Sequence, residues 1–307
     1  MARLIPVRDP TEASLEQCSE ALSVWGFDPA EEESVSHAAN WLARLGNNRS
    51  FLGDRLIDLL AGRNNSGNGT LAVDVRNLHR VVLAPPGRGH FTITAHLWPS
   101  QQEAMLRASG SAAFGYGVAH DHNHDFLTLG YFGPGCSVDD YEYDYETVVG
   151  WRGEPVQLRA LGRSTHEQGR LVHYRASRDI HCQHPPQSLS VSLTLAHSHP
   201  VQGWLDHYVF DTEAGTIARV LERGPSEAFL RIAVALGSEE AKELAARFGR
   251  HHPSDRMRIA AWRALASTAG DAEARDSVWR EAEVSGGPLV ATAARLRREM
   301  ALRNPRV

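Results

Sequence analysis

Cysteine is scarce in this chain. Cys18, Cys136 and Cys182 are the three there are, far apart and without a CxxC pair, which argues against a disulfide framework or a cysteine-based zinc knuckle. Long apolar runs are missing too, so no membrane-spanning segment is expected. The first residues, MARLIPVRDPTEASLEQ, carry a basic residue but no apolar stretch of the secretory kind, and the expected location is the cytoplasm. Lys and Arg form no dense run and the net charge is -5. With no basic stripe to meet a phosphate backbone, a nucleic-acid partner is not expected.

What is present suits a folded soluble protein: 307 residues, 42% hydrophobic and 22% charged, enough for two or three domains. Three helices are expected first. Asp9-Pro10-x-Glu12 and Asp28-Pro29-x-Glu31 each supply an N-cap, a proline and an acid, and a third helix carries Phe51 to Leu60 and stops at Gly62. The run from Asn64 to Gly69 reads as a linker. From about 70 the pattern changes to short apolar runs punctuated by Gly, Pro and Asp, among them HFTITAHLW, DFLTLGYF, ETVVGW, RLVHYRA and the alternating SLSVSLTLA. Such spacing predicts a sandwich or barrel. After Gly224-Pro225 the helical signal returns, in segments near 226–236, 239–249, 255–268, 272–284 and 288–303, similar to HEAT-like repeats or a plain helical cap. The expected division is therefore 1–63, 70–222 and 225–303.

Sixteen histidines occur, and their arrangement carries the chemistry. If Tyr116 to Leu129 is one strand, Tyr116, Val118, His120, His122, His124 and Phe126 share a face, with Asp121, Asn123 and Asp125 on the other. Two imidazoles at i and i+2 then stand side by side and can grip one metal ion. Either His120 or His124 can pair with His122. A further ligand comes from the segment Tyr174 to Pro186, where His181 and Gln183 share a face and His184 has the other parity. Imidazole suits Fe, Zn, Cu or Ni.

These residues resemble the cupin superfamily, and within it the cysteine dioxygenase-like thiol dioxygenases. His120-Asp121-His122, then His124-Asp125-Phe126-Leu127, then His181 before Ser190-Val191-Ser192-Leu193 follow that family's order. No glutamate follows the histidine pair between Phe126 and Leu129, as in the three-histidine class. The resemblance implies an α+β fold around a central cupin-type β-barrel (a double-stranded β-helix, or jelly roll), flanked by the two helical regions. It implies Fe(II) held by His120, His122 and His181, with His124 as the alternate ligand. The expected activity is an O2-dependent oxygenase acting on an amino acid or related small carboxylate. Arg80, Arg88, Arg175 and Arg178 are candidates to grip the carboxylate. Tyr116 and Gln183, on the ligand faces, are the candidate catalytic contacts, and Tyr141, Tyr143 and Tyr145 are expected to line one strand face, where Tyr143 could border the pocket. Two other classes stay open. One is a cupin isomerase, epimerase or hydrolase using Zn, Ni or Mn without O2. The other is a ligand sensor whose C-terminal helices meet a protein partner or a second copy, which an exposed apolar stripe on those helices would favour.

Overall fold

The computed structural model describes residues 2–7, 9–61, 72–73, 79–221 and 226–303. The expected linker from Asn64 to Gly69, the stop at Gly62 and the break at Gly224-Pro225 lie outside these residues. The architecture mixes helices with two antiparallel sheets. Contacts group the chain into two units. One comprises Met1–Tyr145, Pro155–Gln202 and His207–Thr216, the other Glu146–Glu154, Gly203–Asp206 and Ile217–Val307.

The first unit opens with β1 (Arg3–Leu4), α1 (Leu15–Trp25), α2 (Glu32–Asn47) and α3 (Phe51–Leu60). Both Asp-Pro start signals sit ahead of their helices rather than on them. Asp9 accepts from the Thr11 amide and hydroxyl, and Asp28 accepts from the Ala30 amide, so each closes a local turn. The cap of α1 is Ser14, which exchanges hydrogen bonds with Gln17 in a capping box.

The strands follow as β2 (Ala72–Val73), β3 (Arg80–Ala84), β4 (Phe91–Trp98), then α4 (Ala104–Ser109), β5 (Ala119–His120), β6 (Phe126–Phe132), β7 (Ser137–Glu142), β8 (Arg159–Thr165), β9 (Leu171–Tyr174), β10 (Asp179–His184), β11 (Ser190–His197) and β12 (Tyr208–Asp211). A seven-stranded sheet runs β1-β9-β6-β11-β4-β3-β2, and the other sheet includes, in order, β12-β5-β10-β7-β8. β11 lies between β4 and β6, with Leu193 opposite Ala95 and Leu129. Its alternation puts Val191, Leu193 and Leu195 into the core shared with Leu22, Leu42, Leu45 and Phe51 of the helices. Full burial of such a side chain contributes about 1.5–3 kcal/mol. Gly46 of α2 lies so close to β6 that an added Cβ would meet Leu129 Cδ2 at 2.2 Å. This glycine therefore marks a close packing contact in the last turn of α2.

Two strand expectations fail. β7 ends at Glu142, so Tyr141, Tyr143 and Tyr145 do not line one strand face; Tyr145 begins a 3-10 turn. The run ETVVGW is no strand either, because the Glu154 carboxylate takes the amides of Val149, Gly150 and Trp151 away from any ladder.

The second unit takes in most of β13 (Thr216–Val220) and five helices: α5 (Ser226–Ala235), α6 (Glu239–His251), α7 (Asp255–Ser267), α8 (Ala272–Ser285) and α9 (Pro288–Arg303). Ser238, Ser254 and Asp271 cap three of them through their side chains. Alanines fill the contacts, and Gly249 lets α6 approach the Trp262 ring, where a Cβ would stand 2.6 Å away. Among the described residues no helix is long and apolar enough to cross a membrane.

Candidate metal centre

The expected continuous strand from 116 to 129 is broken. The chain leaves β5 after His120, crosses through residues 121–125 without strand pairing, and enters the other sheet at Phe126. The acids and amide between the histidines explain the crossing. Asp121 is fully buried and accepts from the Tyr208 amide and the Tyr143 hydroxyl, both at 2.5 Å. Asn123 donates to Gln202 O at 2.8 Å. Asp125 pairs with His173 Nε2 at 2.9 Å and accepts from the Ala176 amide. Each offers the chain polar anchors that compete with a ladder, so these residues hold the histidine loop in place.

Three histidines converge on the interior between the sheets. His120 and His181 are direct cross-strand partners, with ring centroids 4.5 Å apart. His122 reaches in from the crossing, its Nε2 3.4 Å from His181 Nε2. One ring nitrogen from each of the three lies within 4.8 Å of the others. His120 Nδ1 donates to Val118 O at 2.9 Å, which leaves its Nε2 lone pair free. Burial is the main cause that holds His120 below its ordinary range, and it drives His122 and His181 well below theirs. All three are therefore neutral at pH 7, the form that binds metals.

The His122–His181 pair has the spacing of two ligands on one cation, and His120 stands within 4.8 Å of both. Zinc-type bonds of about 2.1 Å at right to tetrahedral angles separate ligand nitrogens by roughly 3.0–3.4 Å, and the observed Nε2 pair meets that spacing. Two neutral imidazoles facing each other at this distance otherwise offer at most one poor hydrogen bond. His120 and His122 keep partly exposed edges while His181 is buried, so the cluster has an approach side. His124 stands outside the convergent set: its Nδ1 lies 3.0 Å from Asn123 Oδ1, and its ring neighbours His122 at 5.1 Å.

Aromatic rings wall the cluster. Phe126 lies 4.8 Å from the His122 ring, and Tyr174 stacks on Phe126 and meets the His181 ring edge-on at 4.8 Å. The Tyr174 hydroxyl donates to Asp140 Oδ1 and lies 3.0 Å from His166 Nε2. Asp140 is the cross-strand partner of His181 on the other side from His120; burial raises its carboxyl to about 6. Burial also lowers His166 to about 4 and His96 to about 3. Sequence reasoning missed Asp140, Tyr174, His166 and His96. For His96 a signal existed, since it follows Thr92 and Thr94 at strand parity, but nothing local marks the other three.

The remaining predicted residues divide. Arg80 sits opposite His96 on the inner side of β3, and its Nε is buried without a hydrogen-bond partner among the described residues. Arg88 is exposed in the loop before β4. Arg175 and Arg178 are drawn elsewhere: Arg175 bonds Asp179 and Glu142, and Arg178 Nε bonds Glu142 at 2.5 Å. A buried glutamate demands such pairing, so the expected carboxylate grips are spent inside the protein. Tyr116 packs with Trp98 and Phe114, and its hydroxyl donates to Pro99 O at 2.9 Å. Gln183 follows His181 by two residues on β10, half-buried. Among the described residues Tyr143 bonds Asp121, as a support for the histidine loop.

No known family model matches this chain, and no curated protein matches it. Solved structures similar to it include a sugar phosphate isomerase of the cupin superfamily from Silicibacter pomeroyi, 10% identical over 48% of this chain and 74% of that one, TM-score 0.27. Another is hydroquinone 1,2-dioxygenase from Sphingomonas sp. TTNP3, 11% identical over 43% and 75%, TM-score 0.25. A third is a cupin-like protein from Thermotoga maritima, 8% identical over 49% and 92%, TM-score 0.23. At these TM-scores the likeness bears no weight, and the function below rests on the residues.

Proposed function

We propose that this chain is a mononuclear Fe(II)-dependent oxygenase acting on an amino acid or related small carboxylate, built on a cupin-type barrel. The observation that carries the reading is the convergence of His120, His122 and His181, neutral and deep-set, from two distant stretches. Ferrous iron, when bound, supplies the redox and Lewis-acid chemistry that dioxygen and an anionic substrate require. Because the three ligands are uncharged, the site favours anionic donor atoms. Arg80, whose buried Nε has no hydrogen-bond partner among the described residues, offers a fork for the substrate carboxylate. Phe126 and Tyr174 exclude water from one flank of the trio.

The experiment is elemental analysis of anaerobically purified protein, then oxygen uptake across a panel of amino acids and small acids. Iron near one per chain and substrate-dependent uptake, both lost in His122→Ala, are expected. Substrate conversion without oxygen uptake, with Zn, Ni or Mn bound, would turn the reading to the isomerase, epimerase or hydrolase class. Absence of any metal under all conditions sinks it.

A second reading, a sensor whose helical unit meets a partner or second copy, has one observation in its favour. Phe229, Ile232 and Leu236 of the α5 region are 63%, 56% and 82% exposed and recur at helical spacing. Sedimentation of the wild type and of Leu236→Glu tests it: an assembly that the substitution dissolves supports it, and monomers in both remove it.

A further inference from the structure

The three histidines are not held alike. His120 is oriented by the hydrogen bond from its Nδ1 to Val118 O. His181 has no such tether, since its Nδ1 is buried and meets no partner among the described residues. Ligating histidines ordinarily donate the second ring N–H to a carbonyl, carboxylate or water, which fixes the ring. Something else must hold the His181 ring.

Its neighbours are rings. Tyr174 meets it edge-on at 4.8 Å and 80°, and Phe126 meets it at 5.7 Å and 89°. These two are stacked on each other at 5.0 Å, 13° from parallel. Of the pair, Tyr174 alone has a hydroxyl to fix it. That hydroxyl donates to Asp140 Oδ1 at 3.0 Å and accepts from His166 Nε2 at 3.0 Å. The assignment follows from the carboxylate having only acceptors and the neutral imidazole supplying the N–H. Asp140 and His166 belong to β7 and to the segment after β8, so two separate parts of the unit hold the phenol. Tyr174 is 1% exposed, which leaves it no solvent partner in their place.

We propose that Tyr174 is a positioning residue for the candidate metal centre: its ring, fixed between Asp140 and His166, holds the His181 imidazole so that Nε2 points at the site. This rests on the reading of the trio as metal ligands. In this role Tyr174 acts through the His181 ring it meets edge-on.

The test uses the full chain, stripped of metal and titrated with Co(II), read by affinity and by the position of the visible absorption bands. Tyr174→Phe keeps the ring and loses both hydroxyl bonds; Tyr174→Leu loses the ring as well. Affinity is expected to fall about tenfold in the first and about a hundredfold in the second, the range for outer-shell partners of a metal site, with shifted bands. Tyr131→Phe is the control, because its hydroxyl bonds Asn48 O and Arg49 O on the helix-facing side of the same sheet; it should leave Co(II) binding unchanged. Wild-type affinity and bands in both Tyr174 variants overturn the proposal, as does an equal loss in Tyr131→Phe. If Tyr174→Leu does not fold, Tyr174→Phe and His166→Gln decide alone. A wild type that takes up no Co(II), or that binds it equally after His122→Ala, fails one level earlier and removes the metal reading itself.

Discussion

The two faces of the seven-stranded sheet do opposite work. Toward the helices β4, β6 and β11 present Ile93 and Ala95, Leu127 and Leu129, Leu193 and Leu195, all buried in one apolar core. Toward the other sheet the same strands present Thr94 and His96, Phe126 and Thr128, Ser192 and Thr194. One face stores stability and the other collects polar groups that are costly to bury. A protein that only needed to fold would gain by making both faces apolar. The inner face keeps the imidazoles, the hydroxyls and Arg80, the groups on which the proposed function rests.

The contrast can be broken from either side. On the helix side, Leu193→Ala should cost about 2–5 kcal/mol, the usual range for a large cavity in a close-packed core, measured by denaturant unfolding, with the metal site unaltered in the folded fraction. A cost below 1 kcal/mol would mean that this face is not the main store of stability. On the inner face, His122→Ala should weaken Co(II) binding about a hundredfold or more, with little loss in apo-protein stability, because it removes a buried polar group as well as a ligand. If unfolding suffers more than binding, the division between the faces is wrong.

Arg80→Met should raise the substrate KM about tenfold while leaving metal content unchanged, in line with loss of a charge-assisted pair; a change in kcat alone would place Arg80 elsewhere in the reaction.

The pH response sharpens the comparison further. Burial keeps His96 and His166 at about 3 and about 4, against 6.5 for an exposed imidazole. Below 6.5 the unfolded chain gains protons that the folded chain refuses, so their contribution is whole above that value and is lost as pH falls toward about 4 for His166 and about 3 for His96. Asp140, raised to about 6 from 3.8, works in the opposite sense between those two values. Calorimetric Tm of the metal-free protein should fall from pH 7 to 4.5, with His96→Gln flattening the fall and Asp140→Asn steepening it. A smaller effect belongs to the helix side: Ser14→Ala removes the side-chain half of the α1 capping box and should cost about 1 kcal/mol with no change of slope against pH.

Much of this was legible in one dimension. Alternation along Ser190 to Leu195 separated the two faces correctly, because side chains in a strand project to opposite sides every residue. The five C-terminal helices were visible from their periodicity and breakers. The histidine pattern allowed the trio but left His124 as an alternative to His120, and His120 and His122 do not lie on one continuous strand. Their meeting depends on a crossing anchored by Asp121, Asn123 and Asp125, and those anchors answer to Tyr143, Tyr208, Gln202 and His173, all distant in the chain.

By itself, then, the sequence determined the helical regions, the alternating strands such as Ser190–His197 and which histidines could serve, since periodicity and residue chemistry are local properties. Only the tertiary structure decided that His120 rather than His124 joins His122 and His181. It also tied Arg175 and Arg178 to Glu142 and set Tyr174 against His181 between Asp140 and His166. Each of those outcomes turns on which strands become neighbours and in what register, and a strand's own residues specify its faces but not its partners.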